Sequence, residues 1–161
     1  MPVSELFLIR HGLPMSASED PERALSPTGT AQVERTAAVL ASVVGSVDVI
    51  YHSGKRRAEQ TADILADRLS PPHGVRWRPG INPNDPVEDL LAELEEDGHE
   101  RVLIAGHMPY LSHLASYLLC GRADLPFVDF ATGAAAALAR PQRDWVLRWM
   151  IDPARTSVPS T

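Results

Sequence analysis

Short apolar runs alternate along this chain with segments of helical periodicity, and this alternation limits the available folds more than any other feature. Continuous apolar runs of this length are typical of strands that are buried on both faces. Parallel strands need a crossover connection, which is commonly a helix. The alternation therefore predicts an α/β fold with a mostly parallel central sheet and helices on both of its faces. The predicted strands cover residues 3–9, 47–51, 75–77 and 101–105.

The predicted helices begin and end at residues that commonly cap helices. Ser26 is the expected N-cap of the first helix because Pro27 follows it at a position where a missing N–H costs little. The segment Asp85-Pro86-Val87-Glu88 resembles a capping box and predicts the start of the third helix. The four helices are predicted to run from Pro27 to Gly45, from a Ser53 cap to about Leu69, from segment 85–88 to Gly98, and from Pro109 to Gly121.

The pattern changes after residue 127. The segment 141–144 separates an alanine-rich run from the alternating residues 145–149, and the two runs predict a terminal β-hairpin that gives the sheet an antiparallel edge. Helix propensity alone would make residues 134–137 helical. Residues 152–161 are rich in proline, serine and threonine, so we expect a flexible tail that follows a single domain over residues 1–151.

Composition limits the classes of partner. A chain of 161 residues can bury one substantial core, and its formal net charge of -6 argues against broad binding to nucleic acid or to anionic membranes. Cys120 is the only cysteine, so no intramolecular disulfide can form. With no signal-type segment and no apolar run of membrane-spanning length, we expect a cytoplasmic protein. The oligomeric state stays open.

Histidines follow two of the predicted strands. Arg10-His11-Gly12 follows the first strand, and His107 follows the strand at residues 101–105. Active sites of open α/β sheets lie at the carboxyl ends of the strands. A neutral imidazole can attack phosphorus, and arginine binds phosphate oxygens through two parallel hydrogen bonds. Arg57, in the first turn of the second predicted helix, would add a further guanidinium near the positive helix end.

We therefore predict a phosphate pocket in which His11 is the nucleophile and His107 donates a hydrogen bond to a phosphoryl oxygen. Arg10 and Arg57 would neutralise the charge of that group. Gly12 would permit either a left-handed turn or a close approach of the backbone to phosphate. We consider Arg23 a contact of the site loop and Arg56 a solvated side chain.

These motifs resemble those of the histidine phosphatase superfamily, and most closely its short SixA-type phosphohistidine phosphatases. The resemblance implies a single-domain, three-layer, phosphoglycerate mutase-like fold, a pocket of two histidines and two arginines, and transient phosphorylation of His11. Gly54 stands where many SixA-type enzymes have proline, and Lys55 and Arg56 are further departures. The matching motifs occur in the family order: Arg10-His11-Gly12, Leu25-Ser26-x-x-Gly29, Ser53-x-x-x-Arg57-Ala58-Glu59-Gln60-Thr61 and Gly106-His107-x-Pro109.

The expected substrate class depends on whether the protein can donate a proton to the leaving group. A sugar or alcohol leaving group needs a proton in the transition state, whereas the imidazole of phosphohistidine can leave neutral when its other nitrogen is already protonated. Asp85 and Glu88 are the candidate proton donors, although helix capping is the favoured interpretation of both. We therefore expect a phosphatase for phosphohistidine on a protein such as a phosphotransfer domain. The alternatives are a phosphomonoesterase for a small metabolite and a non-catalytic phosphate-binding module.

Other conspicuous side chains have simpler interpretations. His52, His73 and His99 lack the spacing of a metal site, so we expect neither a metal nor a cofactor. His113 lies off the leucine stripe of its predicted helix. Tryptophan in strand-like segments commonly packs against a core or a sheet face. The tryptophans interpreted in this way are Trp77, Trp145 and Trp149.

Overall fold

The computed structural model describes residues 2–125 and 127–155, and within them a six-stranded sheet is combined with four helices. The strands lie in the order β3-β2-β4-β1-β5-β6. The elements are β1 Glu5–Arg10, α1 Pro27–Val43, β2 Val49–His52, α2 Arg56–Leu69, β3 Val75–Trp77, α3 Leu90–Glu96, β4 Arg101–Gly106, α4 Tyr110–Cys120, β5 Ala135–Ala139 and β6 Val146–Ile151.

The sheet is parallel at its centre and antiparallel at one side. β4 pairs in parallel with both β1 and β2, and β2 pairs in parallel with the edge strand β3. β5 pairs antiparallel with β1, and β6 pairs antiparallel with β5. The predicted α/β class and the antiparallel edge are therefore confirmed.

Two apolar clusters hold helices against the two faces of the sheet. Val33 and Leu40 of α1 pack with Leu65 of α2 over one face. Leu94 of α3 and Leu111 of α4 belong to the cluster on the other face. Alternate residues of β1 supply both clusters, because successive side chains of a strand point to opposite faces. The three-layer arrangement follows from this burial on both faces.

The start of two helices differs from the prediction. The N-cap of α2 is Lys55 rather than Ser53, and α3 begins at Leu90 after Asp89. The expected capping box at residues 85–88 does not form, because the Asp85 carboxylate accepts from the backbone N–H of Asn82 at 2.8 Å and closes a turn. Both serine and aspartate cap turns as readily as helices, so sequence alone does not separate the two uses.

The alanine-rich segment is a strand although its composition favours helix. Ala135–Ala139 is buried along its whole length between β1 and β6. Its alternate residues join the two apolar clusters, and pairing on both edges outweighs the intrinsic helix propensity of alanine.

The three tryptophans differ in environment. Trp145 is 8% exposed, and the half-buried Trp149 packs on Phe7 with 6.3 Å between ring centroids, as predicted. Trp77 is 65% exposed, so the packing role predicted for it is wrong. It ends a three-residue edge strand where no further strand covers it.

The C-terminal part of the chain is described as far as Arg155. Residues 152–155 form a turn, and the Arg35 guanidinium of α1 donates to the carbonyl oxygen of Pro153 at 2.7 Å. The rest of the tail expected to be flexible, residues 156–161, lies outside the described residues. The domain boundary at residue 151 stays a prediction. Among the helices described, none combines the length and the apolar character needed to cross a membrane.

Candidate active site

Strand register brings the predicted site residues to one level of the sheet. Arg10 of β1 pairs with Gly106 of β4, and the His11 N–H donates to the Gly106 carbonyl oxygen at 3.0 Å. His107 follows Gly106 directly, so the two histidines emerge side by side from adjacent strands. The chain then leaves β1 toward α1 on one face and β4 toward α4 on the other, which opens a crevice at this point.

The two imidazoles lie close together and are buried. Their ring centroids are 5.1 Å apart, and His11 is 6% and His107 1% exposed. Nδ1 of His11 lies 2.7 Å from the carbonyl oxygen of Gly12. Since a carbonyl can only accept, Nδ1 carries the proton and Nε2 keeps a lone pair. His11 therefore has the tautomer that a histidine nucleophile requires.

A bond to Ser53 holds His107 in the same tautomer as His11, with the ring proton on Nδ1. The Ser53 Oγ lies 2.6 Å from Nε2 of His107 and accepts from the backbone N–H of Lys55 at 3.3 Å. Among the described residues, Nε2 of His107 is the one hydrogen-bond acceptor beside the Ser53 hydroxyl, so the hydroxyl proton points at Nε2. The proton of neutral His107 is then on Nδ1, a buried atom without a hydrogen-bond partner among the described residues. His107 in this tautomer has an N–H at Nδ1, and its donation to a phosphoryl oxygen stays a prediction.

Sequence reasoning missed this use of Ser53, which it assigned to a helix cap. Ser53 directly follows β2, whose His52 pairs with Ala105 of β4. Ser53 therefore lies opposite Gly106, the residue that precedes His107. The available signal was the position of serine at a strand end in the Ser-x-x-x-Arg motif, which matches the position of His11 after β1.

The guanidinium groups of Arg10 and Arg57 act on both imidazoles. One Nη1–H of Arg10 donates to the carbonyl oxygen of Phe130 at 2.8 Å, while its buried Nε has no partner among the described residues. Arg57 is the second residue of α2, so it lies beside the helix N-terminus as predicted. Burial lowers the pKa of both guanidinium groups, although arginine stays charged throughout the ordinary pH range.

Burial and positive charge keep the two histidines neutral. Burial lowers the pKa of His11 to about 4, and the cations Arg57, Arg10 and Arg23 act in the same direction against the bond to Gly12. Burial also lowers the pKa of His107 to about 3, with His11, Arg57, Lys55 and Arg10 adding to the shift. Near pH 7 the pocket therefore has two neutral imidazoles in a positive field, which favours an anion.

The segment after His11 is fixed by close packing and by side chains of α2. A Cβ on Gly12 would lie 2.5 Å from the carbonyl oxygen of Gly29 at the start of α1. Gly12 is absent from the residues with positive φ, so close packing on α1 is the reason for glycine here rather than a left-handed turn. The Gly12 N–H donates to Thr61 Oγ1 at 3.2 Å, and Gln60 accepts from the Leu25 N–H at 2.7 Å.

A groove of about 400 Å³ borders the pocket and is rich in cations. Arg23 has a positive φ of 50°, and its charge lowers the pKa of both His11 and Arg57. The Arg23 Nε–H also donates to the Met15 carbonyl oxygen at 3.3 Å, which is the loop contact that the sequence suggested. The exposed Arg56 pairs with Glu59 at 2.6 Å, in line with the solvated role predicted for it. The groove is lined by Pro21, Glu22, Arg23, Gly54, Lys55, Arg56, Arg57 and Glu59.

The two candidate proton donors lie in the loop before α3. Asp85 is held by its turn with Asn82, and Glu88 is exposed. Asn82 lines a second groove, of about 550 Å³, together with Ser53 and Trp77. Asp85 is thus bonded to a residue that lines this second groove. A proton-donor role for either carboxylate stays a prediction.

Comparison with known proteins agrees with this geometry. Residues 6–80 match the model of the histidine phosphatase superfamily (branch 1). Phosphohistidine phosphatase SixA of Escherichia coli (strain K12) is 26% identical over 154 residues, which span 92% of this chain and 94% of that protein. The chain is therefore similar to proteins of the histidine phosphatase superfamily along most of its length. Its relatives indicate a hydrolase of the phosphatase class.

Solved structures of the superfamily share the fold along nearly the whole chain. A structure of the protein histidine phosphatase SixA complexed with tungstate has a TM-score of 0.82 at 25% identity, covering 95% of this chain and 99% of that chain. The α-ribazole phosphatase from Shigella flexneri has a TM-score of 0.74 at 20% identity, covering 92% of this chain and 96% of that one. The three-layer superfamily fold expected from the motifs is therefore confirmed.

Proposed function

We propose that this histidine phosphatase removes phosphate from phosphohistidine on a protein such as a phosphotransfer domain. The reaction would proceed through a phosphohistidine formed on His11. The observation that carries this proposal is the tautomer pair: His11 presents a lone pair and His107 presents an N–H within one cationic pocket. These are the two functions that transfer of a phosphoryl group to a histidine requires.

The first step transfers the phosphoryl group from the substrate to the enzyme. The lone pair on His11 Nε2 forms a bond to phosphorus as the P–N bond of the substrate breaks, and that electron pair returns to the substrate imidazole. The phosphoryl oxygens would bind the guanidinium groups of Arg10 and Arg57 and the Nδ1–H of His107. These donors are held by the fold before substrate arrives, so little reorganisation is needed during the reaction.

The second step releases phosphate to water. While His11 carries the phosphoryl group on Nε2, its Nδ1 keeps the proton that is bound to the Gly12 carbonyl oxygen. The phosphorylated ring is then an imidazolium, which is a good leaving group. Water attacks phosphorus, the P–N bond breaks with its electron pair returning to Nε2 of His11, and both protons of the water leave with the product as dihydrogen phosphate.

The charges around the imidazoles favour a substrate whose leaving group needs no strong acid. The groups that act electrostatically on His11 and His107 are Arg10, Arg57 and further cations. A phosphohistidine whose distal nitrogen is protonated leaves as neutral imidazole, which this environment accommodates. An alkoxide would need a proton, and Asp85, one of the two candidate donors, is engaged in its own turn. This contrast supports phosphohistidine over a phosphate ester.

The test is a substrate panel combined with trapping of the phosphoenzyme. Radiolabelled phosphohistidine on a phosphotransfer domain, phosphosugars and nucleotides are offered to wild type, to His11→Asn and to His113→Asn. We expect rapid loss of label from the phosphotransfer domain and a phosphoenzyme that is labile in acid and stable in base. His11→Asn should abolish both, whereas the control His113→Asn, on α4, should retain them.

Each other outcome selects a different function. Turnover of a small ester orders of magnitude faster than that of phosphohistidine protein would establish the phosphomonoesterase alternative. Tight binding of labelled phosphate without phosphoenzyme or product would indicate a binding module. Full turnover by His11→Asn would show that the nucleophile lies elsewhere.

We also propose a cytoplasmic location for this activity. The supporting observation is that Cys120 is the only cysteine in the sequence, and it is exposed as a free thiol. Such a thiol suits a reducing compartment. Fractionation of the producing cells, followed by detection of the protein with a specific antibody, tests this location directly.

A further inference from the structure

The indole of Trp77 is fixed beside the pocket, although the side chain is 65% exposed. Its Nε1–H donates to the carbonyl oxygen of Ser53 at 3.2 Å. Trp77 also pairs with His52 at the end of β3, and the Arg78 N–H donates to the His52 carbonyl oxygen at 2.9 Å. The end of the edge strand is thus attached to the turn that carries Ser53.

The turn after β2 contains Gly54, and glycine restricts the backbone less than other residues do. Gly54 has a φ of +91°, a conformation that residues with a side chain rarely adopt and that proline cannot adopt. The indole covers the open side of Gly54, because a Cβ there would lie 2.7 Å from Nε1 and 2.8 Å from Cδ1 of Trp77. The glycine and the tryptophan therefore fit each other, and the indole restricts the turn from outside.

The same turn determines how His107 is held. Ser53 Oγ lies 2.6 Å from Nε2 of His107, so a displacement of the turn by even 1 Å would break this bond. Without it, either nitrogen of His107 could carry the proton, and a tautomer protonated on Nε2 would leave Nδ1 without a proton to donate. The bonds from Trp77 to Ser53 and from Ser53 to His107 form a continuous connection to the reacting centre.

We propose that Trp77 is a positioning residue for the phosphatase reaction: through Ser53 it holds His107 in the tautomer that donates from Nδ1 to a phosphoryl oxygen. This inference rests on the proposed function for its catalytic consequence. The tautomer itself is a property of the free protein. Among the described residues, neither a hydrogen bond nor a ring contact joins Trp77 to His11 or His107, so we expect its effect to pass through the Ser53 turn.

The first experiment measures the tautomer directly. Nitrogen-15 spectra of the free protein near pH 7 distinguish protonated from unprotonated ring nitrogens, and His107 is assigned with a His107→Asn variant. In wild type we expect a protonated Nδ1 and an unprotonated, hydrogen-bonded Nε2. Trp77→Phe keeps an aromatic ring and removes the donor, and it should produce a mixture of the two tautomers. Gly54→Ala, which pushes the indole away, should do the same.

The second experiment measures the catalytic effect with a double-mutant cycle. One neutral hydrogen bond corresponds to roughly a three- to tenfold effect, so Trp77→Phe should lower kcat for phosphohistidine protein by that factor with little change in KM. In a Ser53→Ala background the same substitution should change kcat by less than about twofold, because coupled residues are not additive. The matched control is Trp149→Phe, on the opposite edge strand β6, which should leave kcat and the tautomer unchanged.

Several results would overturn the inference. A protonated Nδ1 and unchanged kcat in both Trp77→Phe and Gly54→Ala would show that Ser53 needs no support from the indole. An equal loss of kcat in the wild-type and Ser53→Ala backgrounds would show that Trp77 acts by another route. A raised KM with an unchanged tautomer would indicate a substrate contact instead. If wild type fails to turn over phosphohistidine, the proposed function fails, while the spectra still decide the role of Trp77.

Discussion

Acid should destabilise this protein through its two pocket histidines. Burial lowers the pKa of His11 to about 4 and that of His107 to about 3, whereas the ordinary value is 6.5. Between pH 6.5 and pH 4 the unfolded chain therefore binds protons at these positions that the folded chain does not bind. The free energy of unfolding has its full contribution from both groups above pH 6.5 and decreases as the pH falls through this window.

The magnitude follows from the separation of the two pKa values. One pKa unit corresponds to about 1.4 kcal/mol, so each histidine accounts for up to about 3 kcal/mol between pH 6.5 and pH 4. For His11 the loss ends near its folded pKa of about 4, and for His107 it continues toward about 3. Either value is a large part of the net stability of a domain, which is roughly 5–15 kcal/mol.

Urea unfolding at a series of pH values measures this effect. Wild type, His11→Asn and His107→Asn are compared, and each variant should lose about 3 kcal/mol less than wild type between neutral pH and about pH 4. Leu13→Ala, an exposed apolar change near the pocket, serves as a control that alters no titratable group. Stability curves of wild type and both histidine variants that run parallel over this range would refute the reasoning.

Three further predictions concern the residues that shape the pocket. Arg57→Lys keeps the charge but loses the planar pair of donors, so kcat/KM should fall by roughly 100-fold in a steady-state assay; activity within about twofold of wild type would show that Arg57 does not bind the transferring group. Gly12→Ala places a Cβ 2.5 Å from the Gly29 carbonyl oxygen, so the free energy of unfolding in urea should fall by roughly 1–3 kcal/mol. An unchanged urea midpoint would contradict this prediction. Ser26 Oγ accepts from the Gly29 N–H at 3.0 Å and donates to the Leu13 carbonyl oxygen at 2.7 Å. Ser26→Ala should therefore destabilise the protein by about 1 kcal/mol and lower its melting temperature. A variant as stable as wild type would show that solvent replaces this cap.

The sequence by itself determined the central strands and the layers, and it predicted the four central side chains of the pocket. β1 and β4 are recognisable as apolar runs, and Ser26 and Gly121 mark helix ends at positions that the structure confirms. Arg10 and His11 could be placed because they directly follow a strand whose end is visible locally. Such signals depend on neighbours within a few residues, so no knowledge of distant contacts was needed.

Only the tertiary structure decided which partner each polar residue takes. Ser53 could have capped α2, but the register of β2 on β4 places it against His107. Asp85 closes a turn instead of starting α3, and Ala135–Ala139 becomes a strand because β1 and β6 lie on either side of it. These choices depend on strand pairing between residues far apart in the chain, and their local sequences suit either outcome. The tautomer of His107 belongs to this second group, because it depends on the bond to Ser53.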